Sequence, residues 1–561
     1  MKHTVLKWFM SVLGTVLFLG CGANGARIEN LRVVYGGAGS TDAFVVWDSV
    51  RGKNTAVVDY DVFVNGKKCE TSAAENAGKT NELAFSARND FYETYGAYQV
   101  DVSFYKIENL APESANTVRV VARDKNGKTV ARSEKIRVKT AAAPKIISIV
   151  DFGAVSGAQG TESARANTKA IQNAIDACPA GGTVLVPDGT FVSGSLWLKS
   201  NMTFQIDGEL SGSVYAADYD FGFLMYDYYT DKRFWGIINA EGAENVRIVG
   251  KGTVNGNGWK SGANGSYVHS KNDRAYEDGI LAADCMREYA NLTGDGNVKN
   301  AFASRATMVL LKNVDTLFIE GLTFTNPANH TVNIIDSKNV TVTGIKEKTY
   351  DCANGDGIGF ICSQNGIFYN NYIDTGDDSI VFSSGVGKSA HTTGERGSSD
   401  VQIFDNYIFH GHGGVAFGSH TALGIRNVLI HDNIFFRTQM AFRIKSAAAN
   451  GGEVSDIDFG NNVLAKNRLA FIMTTEYNDN GTVTNYAASE KVASFHDILL
   501  HDSLVYDAGT MVSIVGTEEN PHKDILFENV RFVRCGGGID SENVENLRLV
   551  NVVMDSKIDE K

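Results

Sequence analysis

A motif that returns ten times from residue 245 onward most constrains the fold of this chain. Each copy has a polar residue, usually Asn or Asp, then an alternating apolar run and often a second apolar run. The copies begin at residues 245, 316, 339, 365, 400, 427, 456, 497, 524 and 546. From residue 316 the steps between copies are 23, 26, 35, 27, 29, 41, 27 and 22 residues. Short strands that recur at steps in the twenties indicate a β-solenoid, with insertions in the longer steps.

The period alone does not separate a β-solenoid from leucine-rich repeats. Leucine-rich repeats need leucines at fixed positions, and this chain lacks them. We therefore predict an all-β solenoid over residues 146–561. One amphipathic helix is predicted at residues 167–178, with Ala170, Ile171, Ala174 and Ile175 on one face. A helix at this position would cap the open end of the solenoid.

Residues 27–140 have a sequence pattern that differs from that of the solenoid region. Short alternating stretches, among them "DAFVVWDSV" and "NTVRVVARDKNGK", are separated by turn-rich segments such as "NGKK" and "DKNG". This pattern predicts a small antiparallel β-sandwich. Trp47 on an early strand and the segment "ENLAPESANTVRVVARD" resemble a fibronectin type III domain. The segment "TAAAPK", residues 140–145, is the predicted linker to the solenoid.

Residues 1–25 have the features of an export signal. Lys2 and Lys7 precede the apolar run "WFMSVLGTVLFL", which is followed by the small residues of "GCGANGA". Twelve apolar residues are too few to span a bilayer comfortably. The stretch Leu-Phe-Leu-Gly-Cys, ending at Cys21, resembles a bacterial lipoprotein cleavage site. We expect a secreted, periplasmic or surface-anchored protein, whose only membrane contact would be a lipid on Cys21.

Charge and cysteine spacing exclude several functions. The chain has 52 Lys and Arg against 65 Asp and Glu, a net charge of −13. Nucleic acid is therefore not an expected partner, because binding a polyphosphate requires a large positive surface. An acidic sugar polymer stays open as a partner if a few cations gather locally. The seven cysteines match no zinc spacing. We predict no metal, no cofactor and a monomer.

Five polar residues are spaced by about one coil. Asp356 precedes Asp377 by 21 residues, His412 follows Asp378 by 34, and Arg443 follows His412 by 31. Equivalent positions on neighbouring parallel coils lie about 4.8 Å apart. Each step is near one coil plus a local loop, so these residues are expected to meet on one wall.

Two adjacent carboxylates within "DTGDDSI", residues 374–380, need an explanation, because neighbours on a regular strand face opposite sides. If Asp377 and Asp378 lie where the strand bends, both can project outward and join Asp356. Three close carboxylates repel one another, which raises the pKa of at least one and keeps a proton available near neutral pH. One protonated and one ionised carboxyl group are what glycoside hydrolysis needs.

Four blocks of sequence together resemble a known family. They are "NGDGI" (354–358), "DTGDDSI" (374–380), "GHGGVAFGSHT" (411–421) and "RIKS" (443–446), in that order. They resemble the conserved blocks of the polygalacturonases, glycoside hydrolase family 28. The resemblance implies a right-handed parallel β-helix of the pectin-lyase-like type, here preceded by the fibronectin type III-like sandwich. It runs from about residue 146 to near the C-terminus.

The resemblance also implies residue roles. Asp377 would be the general acid that protonates the leaving oxygen, and Asp356 and Asp378 would activate the water, with inversion of the product. Asn354 would contribute to substrate binding and hold its neighbours in place. His412, which two glycines flank, would support protonation of the acid or hydrogen-bond the substrate.

Two basic residues and a second histidine are the candidates for substrate binding. Arg443 and Lys445 would clamp a galacturonate carboxylate, since Arg binds carboxylates bidentately. His420 of the "GSHT" string is the further candidate. Two positions depart from the family pattern: Gly355 replaces a Thr, and Ser379 replaces a small residue that often forms a disulfide.

The Gly355 form, the "GSHT" string and the N-terminal sandwich are most similar to the bacterial exo-poly-α-galacturonosidases. Residues 259–305 form a long insertion between coils. We expect this insertion to wall off one end of the cleft, so that cleavage starts from a chain end and releases mono- or digalacturonate.

Several other interpretations stay open. A lone Asp pair is most often a solvated turn, and His410, His420 and His431 have the ordinary structural interpretation. The Asp pair also fits Ca²⁺ binding, as in β-helical pectate lyases. A non-catalytic polysaccharide-binding β-helix and a hydrolase of rhamnogalacturonan or xylogalacturonan are the remaining alternatives.

Overall fold

The computed structural model describes residues 26–50, 56–69, 73–96, 98–158, 160–259, 280–350, 352–477 and 487–555. The predicted signal peptide with Cys21 lies outside the described residues, as do residues 260–279 of the predicted insertion. Within the described ranges no helix is long and apolar enough to cross a membrane.

The ten motif copies form most of the first two sheets of a parallel β-helix, and earlier strands complete them. Each copy supplies two consecutive strands, one to a 13-stranded sheet and the next to a 12-stranded sheet. The strands of the first sheet, in spatial order, are Ile146–Ser148, Gly182–Val186, Met202–Ile206, Glu244–Val249, Asp315–Glu320, Lys338–Thr343, Gln364–Tyr369, Ser398–Phe404, Ile425–His431, Glu453–Gly460, Ser494–His501, His522–Glu528 and Val544–Val550. Those of the second sheet are Thr190–Ser193, Glu209–Gly212, Thr253–Asn255, Thr323–Thr325, Lys346–Thr349, Tyr372–Thr375, Tyr407–His410, Ile434–Phe436, Val463–Ala465, Leu504–Tyr506, Arg531–Val533 and Val553–Asp555.

A third sheet of 11 strands comes from the segments that precede or separate the motif copies. Its strands are Leu196–Trp197, Ile238–Glu241, Val309–Lys312, Val332–Ile335, Ile358–Ile361, Ile380–Ser383, Gly413–Phe417, Met440–Lys445, Leu469–Thr474, Thr510–Val515 and Ile539–Glu542. Every strand pairs in parallel with its counterpart one coil later, as in Ile358↔Ile380 and Ile380↔Val415. The predicted all-β class, with a right-handed parallel β-helix, is confirmed.

The first polar residue of every motif copy has a conformational cause. In all ten copies this residue has a positive φ, between 52° and 64°. It interrupts the first-sheet strand, so that the pairing skips it, as between Lys338↔Gln364 and Val340↔Gly366. Asn and Asp tolerate this left-handed conformation better than other non-glycine residues, which explains why nine of the ten copies use one of them.

A ladder of asparagines turns the chain from the first sheet to the second. Asn371, Asn406, Asn433 and Asn462 are buried, and each donates its side-chain amide to the side-chain oxygen of the next, at 2.9, 2.9 and 3.0 Å. Apolar side chains fill the interior between the sheets, and the stacked rings of Phe382 and Phe417 lie 5.1 Å apart. The ladder satisfies polar groups that the solenoid buries at each turn.

In the described part of the chain five α-helices accompany the strands: α1 (Ala73–Thr80), α2 (Glu82–Tyr95), α3 (Thr161–Ala177), α4 (Leu281–Thr293) and α5 (Val298–Ala303). Short 3-10 helices span Ile149–Phe152, Ala216–Asp218, Lys388–Thr392 and Ala448–Asn450. Helix α3 contains most of the predicted helix, and its buried face joins the solenoid core beside the first coils. The sequence analysis missed the other four α-helices.

Two small sheets form the N-terminal sandwich. One is three-stranded and antiparallel, with strands Arg32–Ala38, Ala43–Val46 and Phe104–Ile107. The other contains Ala26–Ile28, Thr129–Ser133, Ala115–Asp124, Val57–Val64, Lys67–Lys68 and Ile136–Lys139. Trp47 is buried between the sheets with its ring edge against Tyr60. This division of the strands fits the fibronectin type III-like sandwich, which also holds α1 and α2.

The sandwich packs firmly along the outside of the β-helix. Phe104 meets Tyr369 with ring centroids 5.1 Å apart, and Phe91 of α2 meets Phe436 at 5.6 Å. Between these contacts, the buried Arg88 donates to the carbonyl of Asp405 at 2.7 Å and to Oδ1 of Asn370 at 2.9 Å. The contact combines apolar burial with buried hydrogen bonds, which fix the sandwich against the solenoid.

Candidate active site

The candidate residues lie at the start of adjacent third-sheet strands. Asp356 precedes Ile358–Ile361, Asp377 and Asp378 precede Ile380–Ser383, and His412 precedes Gly413–Phe417. Arg443 and Lys445 lie on the next strand of that sheet, Met440–Lys445. The structure thus brings these six predicted residues onto one wall of the β-helix.

Asp378 is a buried carboxylate held by two cations. Its side chain is only 3% exposed. Arg443 Nη1 lies 3.1 Å from its Oδ1, and Lys445 Nζ donates to its Oδ2 at 2.7 Å. Burial alone would raise the pKa of Asp378, but the charges of Lys445 and Arg443 outweigh burial and lower it to about 2. Asp378 is therefore ionised at any working pH.

Asp377 points away from its neighbour and reaches solvent, with its side chain 27% exposed. Its Oδ1 accepts the backbone N–H of Asp378 at 3.0 Å, and its Oδ2 lies 3.5 Å from the Asn354 amide nitrogen. His412 Nδ1 lies 3.5 Å from its Oδ1. The adjacent carboxylates therefore diverge, one into a buried ion cluster and one into the cleft.

Asp356 is the carboxyl group that most resists ionisation. Its side chain is 13% exposed, and Nδ1 of His330 lies 3.4 Å from its Oδ2. Burial raises the pKa of Asp356 well above its usual range, and the negative charges of Asp377 and Asp378 raise it further. The cluster of Asp356, Asp377 and Asp378, called the carboxylate cluster below, therefore contains one ionised acid and one that keeps its proton to higher pH.

His412 and Arg443 make a direct contact. Arg443 Nη1 lies 3.0 Å from Nδ1 of His412. Since a guanidinium only donates hydrogen bonds, Nδ1 accepts here, and a neutral imidazole carries its hydrogen on Nε2. The ring of Tyr477 lies over both cations, 5.4 Å from Arg443 Cζ and 5.1 Å from Lys445 Nζ.

Arg305 holds Asn354, which contacts the carboxylate cluster, and the sequence analysis did not identify Arg305. This buried residue donates to Oδ1 of Asn354 at 2.8 Å and to the carbonyl of Ala353 at 3.0 Å. Burial lowers the pKa of Arg305 to about 9, so it stays positively charged at neutral pH. Because Arg305 occupies the amide oxygen of Asn354, the amide nitrogen is turned toward Asp377.

His330 is the second residue that the sequence did not signal. Burial and the positive charge of Arg233 lower the pKa of His330 to about 4, which keeps the imidazole neutral near neutral pH. Both Arg305 and His330 lie on connections of irregular length. The one sequence signal for His330 is coil spacing, because His330 lies about one coil before Asp356.

His420 lies apart from the carboxylate cluster. It follows the far end of the strand Gly413–Phe417, whereas His412 precedes that strand. Its Nδ1 lies 2.9 Å from Oη of Tyr226, which packs among other aromatic residues. His410 and His431 each contact an aspartate, Asp374 at 2.9 Å and Asp432 at 2.8 Å.

A wall of inserted structure stands on the N-terminal side of Asp356. It consists of the hairpin Phe221–Phe223 with Arg233–Phe234 and of helices α4 and α5. The backbone N–H of Phe234 donates to the carbonyl of Ser304 at 3.0 Å, and the rings of Phe221 and Tyr289 lie 6.3 Å apart. The hairpin and the described part of the insertion therefore form one packed unit, called the end wall below.

Asp377, Asp378 and His412 have ligand atoms within 4.8 Å of one another, close enough to hold a metal ion. Ca²⁺ requires six to eight oxygen ligands. Both oxygens of Asp378 already accept from Arg443 and Lys445, and these two cations would repel an incoming ion. The donor set therefore does not fit a calcium site.

A three-sheet parallel β-helix with acidic and basic residues on one wall is typical of enzymes that process acidic polysaccharides. The chain belongs to one such family, because a sequence profile described as "Glycosyl hydrolases family 28" matches residues 179–553.

Relatives across nearly the whole chain agree with this assignment. The chain is 33% identical to "Exo-poly-alpha-D-galacturonosidase" of Dickeya chrysanthemi over 535 residues, which cover 90% of this chain and 86% of that protein. The solved structure of a Yersinia enterocolitica family 28 exopolygalacturonase matches with a TM-score of 0.83 and 29% identity, covering 95% of this chain and 100% of that chain. An exopolygalacturonase from Thermotoga maritima shares the fold, with a TM-score of 0.59 and 21% identity over 74% of this chain and 92% of that one.

Proposed function

We propose that the protein is an exo-acting polygalacturonase, which hydrolyses α-1,4-galacturonosyl bonds with inversion. The observation that carries the proposal is the convergence of Asp356, Asp377 and Asp378 at the start of neighbouring third-sheet strands, with Asp377 the most exposed of the three. Inverting glycoside hydrolysis needs such a group of carboxyl groups, one to protonate the leaving oxygen and others to activate the water. The names of the Dickeya and Yersinia relatives support the same activity and an exo mode.

Asp377 is the residue we assign as general acid. It is the most exposed of the three carboxyl groups, so it can reach the glycosidic oxygen. As the bond from the anomeric carbon to that oxygen breaks, the proton of Asp377 passes to the leaving oxygen. The pKa of Asp356 is raised partly by the charge of Asp377, so a proton on Asp377 favours ionisation of Asp356.

Asp378 and Asp356 are then the bases for the water. The water oxygen bonds to the anomeric carbon from the face opposite to the leaving group, and a proton of that water passes to the carboxylates. Asn354 orients Asp377, and Arg305 orients Asn354 in turn. Magnetic resonance of the anomeric proton in the first minutes of reaction tests the assigned inversion.

Galacturonate differs from neutral sugars by its carboxylate, and Arg443 and Lys445 are the cations predicted to bind it. Both already contact Asp378, which limits how much of their charge is left for substrate. Nη2 of Arg443 forms no hydrogen bond within the described residues and is the group we assign to the substrate. His412 can donate from Nε2 to a substrate oxygen.

The end wall supports an exo mode, because it lies on the N-terminal side of the carboxylate cluster and Arg305, directly after α5, donates to Asn354. We propose that the chain end abuts this wall and that mono- or digalacturonate is released. The viscosity of polygalacturonate solutions should fall little while reducing ends accumulate. A rapid loss of viscosity would show cleavage within the polymer and refute the exo mode.

The main test is a time course on polygalacturonate with EDTA present. We expect reducing ends without the ultraviolet absorbance of an unsaturated product, and loss of activity in Asp377→Asn. Absorbance that EDTA abolishes would identify a pectate lyase. If wild type releases no reducing ends, the remaining candidates are rhamnogalacturonan or xylogalacturonan hydrolysis and sugar binding without catalysis.

We also propose that the protein is exported and acts as a monomer on pectic polysaccharide. The apolar segment at residues 8–19 and Cys21 support export, with either a lipid anchor or a soluble product. Radiolabelled palmitate incorporation in wild type and Cys21→Ser separates the two, and sedimentation tests the oligomeric state.

A further inference from the structure

Arg233 is a cation beside the candidate site that lacks an anionic partner. Among the residues that the structure describes, its side chain forms no ion pair and no hydrogen bond, and its Nε is buried. Arg305 by contrast donates to five acceptors, and Arg443 and Lys445 both contact Asp378. Unlike these three cations, the Arg233 guanidinium has no partner among the described residues.

The backbone fixes the position of Arg233. It lies on the second strand of the end-wall hairpin, paired with Phe223. The backbone N–H of the next residue, Phe234, donates to the carbonyl of Ser304, which places Arg233 next to Arg305. The adjoining third-sheet strand, Val309–Lys312, is two coils before the strand that follows Asp356, about 10 Å along the axis.

His330 occupies the coil between Arg233 and Asp356. Its Nδ1 is buried and forms no hydrogen bond within the described residues. The positive charge of Arg233 contributes to the low pKa of His330, which agrees with the two side chains being close. A neutral imidazole next to an unpaired guanidinium leaves the positive charge of Arg233 uncompensated.

An unpaired, partly buried guanidinium costs free energy, because it loses hydration without gaining a partner. A substrate that brings a carboxylate would remove this cost, and a guanidinium binds a carboxylate with two parallel hydrogen bonds. Each unit of polygalacturonate carries one carboxylate. Arg443 lies on the opposite side of the carboxylate cluster along the helix axis, so the two arginines can serve different units of one chain.

We propose that Arg233 binds the carboxylate of the terminal galacturonate unit, the one held against the end wall. The inference rests on the proposed exo-polygalacturonase activity and assigns the residue that requires a free acid at the chain end. His330 borders the same unit on the side of Asp356.

The test compares Arg233→Gln and Arg233→Lys with wild type on two trigalacturonates. One has all carboxylates free, and the other carries a methyl ester on the non-reducing terminal unit only. Wild type should prefer the free acid. Arg233→Gln should lower kcat/KM on the free acid by about 10- to 100-fold, since a charge-assisted hydrogen bond is lost. Arg233→Gln should leave kcat/KM on the methyl ester nearly unchanged. Arg233→Lys should recover part of the preference for the free acid over the ester.

Lys232→Gln is the matched control, because it removes the same charge from the exposed neighbouring position. It should leave the preference as in wild type. An equal loss on both substrates in Arg233→Gln would indicate a purely structural role and overturn the proposal. A free-acid preference in Arg233→Gln that equals that of wild type would also overturn the proposal.

A binding measurement separates this inference from the proposed function. The affinity for digalacturonate is measured by calorimetry in wild type and Arg233→Gln, with the neutral disaccharide of galactose as reference. Weaker digalacturonate binding in Arg233→Gln supports the assignment even if wild type hydrolyses no substrate. Equal affinities refute it even if wild type is an active exo-polygalacturonase.

Discussion

Lys445 Nζ donates a 2.7 Å hydrogen bond to Oδ2 of Asp378, and both side chains are more than nine-tenths buried. In Lys445→Met the carboxylate keeps Arg443 as its only cation. We expect the free energy of unfolding at pH 7 to fall by about 3 to 5 kcal/mol, since a buried charge loses a partner. Urea unfolding measures this loss. Lys338→Met is the control, because Lys338 pairs with Asp315 at the surface.

The same pair predicts a pH dependence of stability. The pKa of Asp378 is about 2 in the folded protein, below its unfolded value of about 3.9. A lowered carboxyl pKa stabilises the fold above the unfolded value, and this contribution is lost as pH falls from about 4 to about 2. In Lys445→Met the pKa of Asp378 in the folded protein should lie closer to its unfolded value, so the stability lost between pH 5 and pH 2 should be smaller than in wild type. Unfolding curves of both proteins that shift in parallel from pH 5 to pH 2 would contradict this account.

Asp377→Asn should lower kcat on polygalacturonate by at least about 10²-fold, because the leaving oxygen loses its proton donor. The fold should be unaffected, since an amide oxygen can still accept the backbone N–H of Asp378. Circular dichroism checks the fold, and reducing-end assays check the rate. Asp374→Asn, which alters an aspartate that contacts His410 instead, should keep most of the activity. Asp377→Asn with more than a tenth of wild-type kcat would exclude Asp377 as general acid.

His501 links two coils through Asp458 at 2.9 Å and Asp502 at 2.7 Å. Burial opposes its protonation, but these two aspartates raise the pKa of His501 to about 9. A raised histidine pKa stabilises the fold below the unfolded value of about 6.5, and this contribution is lost as pH rises to about 9. His501→Gln should therefore destabilise the protein at pH 6 and have little effect at pH 9.5. The exposed His391→Gln should show no such difference.

Arg88 joins the sandwich to the β-helix through the carbonyl of Asp405 and the amide oxygen of Asn370. Arg88→Met would leave these acceptors buried and unpaired, and we expect a loss of about 3 to 5 kcal/mol. Because the sandwich is packed on the solenoid, the two parts should unfold together in one calorimetric transition. The exposed Lys79→Met on α1 should have little effect. Two separate transitions in wild type would show that the contact is weak.

Asn433 stands in the middle of the asparagine ladder. Its amide donates to Ile403, His431 and Asn462, and its side-chain oxygen accepts from Asn406. Asn433→Ala should destabilise the protein by about 2 to 4 kcal/mol, because several buried groups lose their partners. Asn173→Ala on the exposed face of α3 should not. Similar urea midpoints for the two variants would refute a stabilising role of the ladder.

The first two sheets could be predicted because a local conformational demand repeats in them. A left-handed residue interrupts each first-sheet strand, so Asn or Asp recurs there in the sequence. No such demand marks the third sheet, and its strands, such as Ile380–Ser383, were not identified. Helices α1 and α2 were missed because their buried residues, for example Ala77 and Ala84, make a weak apolar pattern amid many polar ones.

The residues of the candidate site were found partly by spacing and partly by family resemblance. Coil spacing placed Asp356, Asp378 and Arg443 on one wall, which the structure shows. Spacing cannot tell which way a long side chain turns, so the contact of Lys445 with Asp378 was not foreseen. Arg233 and Arg305 lie in inserted segments whose lengths follow no repeat, and sequence spacing offers no way to place them beside the site.

The left-handed Asn and Asp positions and the asparagine ladder carry the stacking of the coils, while the acidic and basic groups stand on the third-sheet strands and the connections before them. Structural support and chemistry thus occupy different parts of each turn. Substrate preference can therefore be redesigned by exchanging the hairpin that carries Arg233 or the segment that ends in Arg305, while the stacked coils of the β-helix are left unchanged.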